Sequence, residues 1–80
     1  MKIQELAQRV RPHLADIEQM NKQDWKRIVA VEVGIDPRTA ANTFEAMKLN
    51  GVFRQINGTV FSVDHKRLNE LAGFKALAEA

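Results

Sequence analysis

Residues 29–63 read VAVEVGIDPRTAANTFEAMKLNGVFRQINGTVFSV, and the punctuation in this stretch decides the fold. The β-branched run Ile28-Val29-Ala30-Val31-Glu32-Val33 stops at Gly34-Ile35. Asp36 then reads as an N-cap, Pro37 as the first helical residue, and Gly51 as the left-handed residue just past the helix end. Val52–Ile56 and Thr59–Val63 read as strands meeting at Asn57-Gly58, the strongest short hairpin signal. Two helices across a tight turn, followed at once by a hairpin, are the expectation.

The β-branched run would suit a strand on propensity alone. Its upstream boundary argues for a helix, because Asn21 is placed as an N-cap with Asp24 three residues on. This helix carries Trp25, Ile28, Val29 and Val33 on its apolar side. On the helix after Asp36, Ala40, Ala41, Phe44, Met47 and the stem of Lys48 share one face, with Arg38, Thr39, Asn42, Glu45 and Ala46 on the other. Leu49 falls on the polar side, where it either tucks under another segment or marks a partner contact. For the hairpin, a two-residue turn pairs Arg54 with Phe61. A three-residue loop with Gly58 as the bulge pairs Phe53 with Phe61, and is preferred because it buries both phenylalanines and turns Arg54 outward.

Outside this stretch the pattern is helical. Ile3, Leu6, Ala7, Val10, Leu14, Ile17 and Met20 recur at helical spacing, and Pro12 within the stripe predicts a kink or a break into two helices. Asp64 caps a last helix over about 65–78 with Leu68, Leu71, Ala72, Phe74 or Lys75, Leu77 and Ala78. Gly73 in its middle costs about 1 kcal/mol relative to alanine, so that helix needs packing on its own core or on a second copy.

The chain has 80 residues, 45% of them apolar, enough for one domain (1–80) with Trp25, Phe44, Phe53, Phe61 and Phe74 as its bulky members. No cysteine is present, which excludes disulfides and thiolate chemistry and fits a reducing cytoplasm. No apolar run is long enough for a membrane span and the N-terminus does not read as a signal peptide, so a cytoplasmic protein with no membrane partner is expected. Twelve Lys+Arg against ten Asp+Glu permit a local basic face without demanding one. His13 and His65 stand alone with no metal-ligand spacing, and neither a phosphate loop nor a nucleophile-base ordering is visible. No metal, no cofactor, no small-molecule ligand and no enzymatic activity are expected. Trp25 and the hairpin phenylalanines read as core, not as a base-stacking platform.

Residues 29–53 together resemble the winged helix-turn-helix DNA-binding domains. Val29-Ala30 opens the pattern, Val33-Gly34-Ile35 makes the turn, and Asp36 caps. Thr39-Ala40 comes early in the second helix, Phe44 and Met47 hold its core positions, and Gly51-Val52-Phe53 leads into the wing. In that frame Ala30 is small where the helices cross, and Gly34 makes the turn without a Cβ penalty. The departures are Asp36-Pro37 where the family often has serine, a recognition helix with few cations, and a C-terminal helix beyond the minimal module.

The resemblance implies an α+β, mostly α fold with N-terminal helices, a helix-turn-helix over about 22–50, a two-stranded wing over about 52–63 and a C-terminal helix. It implies double-stranded DNA as partner, with the N-terminal half of the second helix in the major groove. Arg38 would then meet guanine, Asn42 adenine, Thr39 a phosphate or thymine methyl, and Glu45 a cytosine amino group. Lys22, Lys26 and Arg27 would lie along the backbone, and Arg54, Gln55 and Asn57 would set the wing on phosphates or in the minor groove. So few cations imply weak binding by one copy and hence a homodimer, with Leu68, Leu71, Phe74 and Leu77 as a possible seam. A small transcriptional regulator is the first reading. The alternatives are an accessory factor in replication, partition or recombination of a mobile element, and a winged helix used only for protein contact.

Overall fold

The structure is a computed structural model that describes residues 2–73; Phe74, Leu77 and the rest of the expected helix beyond position 73 lie outside the described residues. Its elements run α1 (Ile3–Leu14), β1 (Gln19–Asn21), α2 (Lys22–Glu32), α3 (Pro37–Leu49), β2 (Phe53–Gln55), β3 (Val60–Val63) and α4 (His65–Ala72). The fold is thus α+β and mostly helical, with an antiparallel sheet in the order β1-β3-β2. The order helix, strand, helix, helix, hairpin around that sheet is compatible with a winged-helix layout.

The caps around α2 and α3 form as their residue types dictate. The Asn21 side chain accepts from the Asp24 N–H (2.9 Å) and the Asp36 side chain from the Arg38 N–H (2.9 Å), with Pro37 at the first helical position. At the far end of α3, Gly51 takes φ 80°. Its N–H donates to the Lys48 carbonyl (3.1 Å), and the Val52 N–H donates to that of Met47 (3.0 Å). These two bonds make a Schellman motif, closed by the buried pair Val52 and Met47.

The core is aromatic at its centre. Trp25 of α2 meets Phe53 edge-on at 4.9 Å between ring centroids, Phe44 of α3 meets Phe61 at 5.0 Å, and Phe53 lies 4.4 Å from Phe61. The Trp25 indole N–H donates to the Ala40 carbonyl (3.3 Å), so the polar atom of the largest core residue is satisfied. Leu6, Ala7, Val10 and Leu14 of α1 close one side, and Leu68 and Ala72 of α4 pack against α1.

Several expectations are corrected. Pro12 does not split the first helix, which runs unbroken from Ile3 to Leu14. It lies in the last turn of α1, where it removes one backbone bond, and the buried stripe through Val10 and Leu14 holds the helix across it. The stripe ends there: Ile17 lies in the following turn and Met20 is the buried residue of β1. That strand was unforeseen, and it makes the sheet three-stranded instead of two. Ala30 is exposed, and the small buried residue facing α2 is Ala40. Ala41 and Lys48 are exposed, so the buried face of α3 is Ala40, Phe44 and Met47 alone.

The hairpin takes neither expected register. Phe53 pairs with Val63, Arg54 with Ser62 and Gln55 with Phe61. Both phenylalanines still face the core and Arg54 still faces out, because the observed register differs from the preferred one by two residues and so preserves the faces. Gly34 and Gly58 are not in the left-handed region, since the positive-φ residues are Gly51 and Gly73. Gly73, expected inside a longer helix, instead ends α4 with φ 91°.

Candidate nucleic-acid interface

The outward face of α3 follows from what its inward face buries. With Ala40, Phe44 and Met47 in the core, the opposite side carries Arg38, Asn42, Glu45 and Leu49, all exposed. At about 100° per residue these four fall within about 60° of one another, a stripe along roughly 16 Å of helix. Three of them, Arg38, Asn42 and Glu45, are expected readers. Thr39 is not on the stripe. It is partly buried on the flank toward α1, in a cleft with Ile3, Leu6 and Val33. Leu49 does not tuck under another segment; it is 84% exposed at the end of the stripe.

The cations around the stripe differ in how free they are. Arg38 lies 3.5 Å from Asp36 and Arg27 lies 3.1 Å from Asp24, but both arginine side chains are at least 80% exposed. Exposed pairs of this kind contribute little, so a phosphate could displace either carboxylate at small cost. Lys26 and Arg54 are exposed and have no ion-pair partner among the described residues. Lys22 is partly buried instead, with Nζ 4.9 Å from the centroid of the Phe44 ring. Its backbone N–H donates to the Thr59 carbonyl (2.9 Å), which fastens the start of α2 to the wing.

The wing is held by two of its own expected contact residues. Gln55 Oε1 accepts from Lys48 Nζ (3.3 Å), and Gln55 Nε2 donates to the Asn57 carbonyl (2.9 Å). Asn57 Oδ1 accepts from the N–H groups of Thr59 and Val60, both at 2.9 Å, and lies 3.3 Å from the Thr59 hydroxyl. Gln55 and Asn57 therefore shape the wing, while Arg54 is its outward charge. Lys48, exposed beside the wing, is a cation of this surface that sequence reading placed on the buried face. The wheel alone could not find it, because its position became clear only once the wing was located.

The histidines have local structural partners. His13 Nε2 lies 2.6 Å from Glu32 Oε2, joining α1 to α2, and His65 Nε2 lies 2.7 Å from the Ile17 carbonyl. Leu68 is buried against α1 and is not available as a surface seam; Leu71 is partly buried. No helix among the described residues is long and apolar enough to cross a membrane. No protein-family model matches the chain, and no curated protein or solved structure matches it significantly.

Proposed function

We propose that this protein binds double-stranded DNA sequence-specifically, with α3 in the major groove and the β2-β3 wing on the adjacent backbone or minor groove. The observation that carries the reading is the exposed stripe Arg38, Asn42, Glu45, with Lys26 and Arg27 beside the start of α3, Lys48 beside the wing near its end, and Arg54 exposed on the wing itself. Arg38 and Asn42 offer the planar, paired hydrogen-bonding groups that suit guanine and adenine edges, and Glu45 accepts from a cytosine amino group. The flanking cations supply the sequence-independent part of the affinity. A small cytoplasmic transcriptional regulator is the role this surface suits best.

One copy offers few cations, and each phosphate contact contributes about 0.9 to the logarithmic salt slope. Binding at physiological salt therefore calls for two copies on half-sites about one helical turn apart. Sedimentation with and without duplex tests this: a dimer on DNA is expected, and a strict monomer in both contradicts it.

A second reading, a winged helix used for protein contact, is favoured by Leu49 at 84% and Ile35 at 88% exposure. Selection from random duplexes separates the two. Enrichment of a defined site, with Arg38→Ala and Asn42→Ala broadening the preference, supports the DNA reading. Recovery of no preferred site overturns it in favour of protein contact.

A further inference from the structure

The chain contains two Asn-Gly dipeptides, Asn50-Gly51 and Asn57-Gly58, identical in sequence and opposite in surroundings. We propose that the fold selects Asn57, at the tip of the wing, as a site of spontaneous deamidation and spares Asn50.

The reaction begins when the amide nitrogen of the following glycine loses its proton to base and attacks the asparagine side-chain carbonyl carbon. A new C–N bond forms, the carboxamide C–N bond breaks, and the nitrogen leaves as ammonia after taking up a proton. The product is a five-membered succinimide. Water then adds to one of the two ring carbonyls and opens the ring, leaving aspartate or isoaspartate at that position. The net change replaces NH2 by OH, with no oxidant or reductant needed.

The hydrogen bonding at Asn57 favours each step. Negative charge develops on Oδ1 as the nitrogen attacks, and Oδ1 already accepts from the Thr59 and Val60 N–H groups at 2.9 Å, with the Thr59 hydroxyl at 3.3 Å. Donors aimed at the oxygen where charge appears are what lowers such a barrier. The Gly58 N–H makes no hydrogen bond among the described residues, so its proton is open to water and hydroxide. The carbonyl of the same peptide unit, that of Asn57, accepts from Gln55 Nε2 at 2.9 Å, which draws charge from the nitrogen and eases proton loss. A Cβ built on Gly58 would meet nothing within 4 Å beyond its chain neighbours, so the rest of the fold leaves the glycine open.

Asn50 has the reverse arrangement. The Gly51 N–H is committed to the Lys48 carbonyl (3.1 Å) in the Schellman motif that ends α3. The Asn50 side chain uses its NH2 group, the group that must leave, as donor to the Ala46 carbonyl (2.7 Å). No donor to its side-chain oxygen is present among the described residues. The nucleophile is tied up and the electrophile is not activated.

The test is peptide mapping by mass spectrometry after incubating the full chain in mildly alkaline buffer, folded and in urea. In the folded protein, conversion at Asn57 should exceed that at Asn50 by at least about tenfold, equivalent to roughly 1.4 kcal/mol of barrier. In urea the two sites should convert at similar rates. Gly58→Ala, whose methyl crowds the attacking nitrogen but not the fold, should suppress conversion at Asn57 in the folded chain. Equal rates at both sites in the folded protein, or faster loss at Asn50, would overturn the proposal. So would folded Asn57 converting no faster than in urea.

Deamidation at Asn57 adds a negative charge to the wing that carries Arg54, and its effect on duplex binding rests on the DNA reading above. Asn57→Asp keeps the acceptor for Thr59 and Val60, so this variant should fold normally and lose duplex affinity at low salt. Unchanged affinity would count against the wing contacting DNA, while the mass measurement would still decide the chemistry.

Discussion

Arg67, in the first turn of α4, closes the open end of α3: its Nε and Nη2 both donate to the Asn50 carbonyl, at 3.2 and 3.0 Å. That carbonyl belongs to the helix cap, one of the acceptors left without an intrahelical partner. The guanidinium also packs over Gly51, where a Cβ would stand 3.3 Å from Nε. The C-terminal helix thereby helps position the exit from the proposed recognition helix.

Gly51→Ala should cost about 1–2 kcal/mol, because alanine must adopt the left-handed φ and displace the Arg67 side chain. In an Arg67→Ala background the second penalty disappears. Urea titrations of the two single variants and the double variant should therefore show a destabilisation smaller than the sum. Strict additivity would mean the contact carries no energy.

Gly34→Ala should be neutral or stabilise by about 0.4–1 kcal/mol, since its φ is not left-handed and a Cβ there meets nothing within 4 Å. Thermal unfolding reads this directly. A marked drop in Tm would show that the turn between α2 and α3 does need glycine.

Trp25→Ala should remove about 3–5 kcal/mol, a large share of what a small domain commonly has, and move the denaturation midpoint sharply down. Trp25→Phe keeps an aromatic ring against Phe53 but loses the indole N–H bond to the Ala40 carbonyl, with an expected cost of about 1–3 kcal/mol. Circular dichroism during denaturant titration separates the two.

Much of the fold was legible because its signals are local. Asn21, Asp36 and Asp64 cap their helices through side-chain oxygens, and Gly51 ends α3 through its φ, each a property of a few adjacent residues. The strand Gln19–Asn21 was not legible: three residues with one inward side chain produce no alternation, and its identity depends on pairing with Val60–Ser62, about forty residues away. The hairpin register failed for a related reason. Asn57 closes the loop by accepting through its own side chain, so the turn is not the one an Asn-Gly pair usually signals, yet the faces survive a shift of two. On α3 the wheel placed Arg38, Asn42 and Glu45 outward, but it could not tell that α1 would flank Thr39 or that the wing would lie beside Lys48.

Phosphate contact by this face is tested most directly by a salt titration of duplex binding. The wild type should show a steep linear fall of log affinity with log salt. Arg54→Ala and Lys26→Ala should each lower that slope by about 0.9, one phosphate's worth, while Lys66→Ala on α4 leaves it unchanged. A flat slope in the wild type, or Arg54→Ala and Lys26→Ala behaving like Lys66→Ala, would contradict the account.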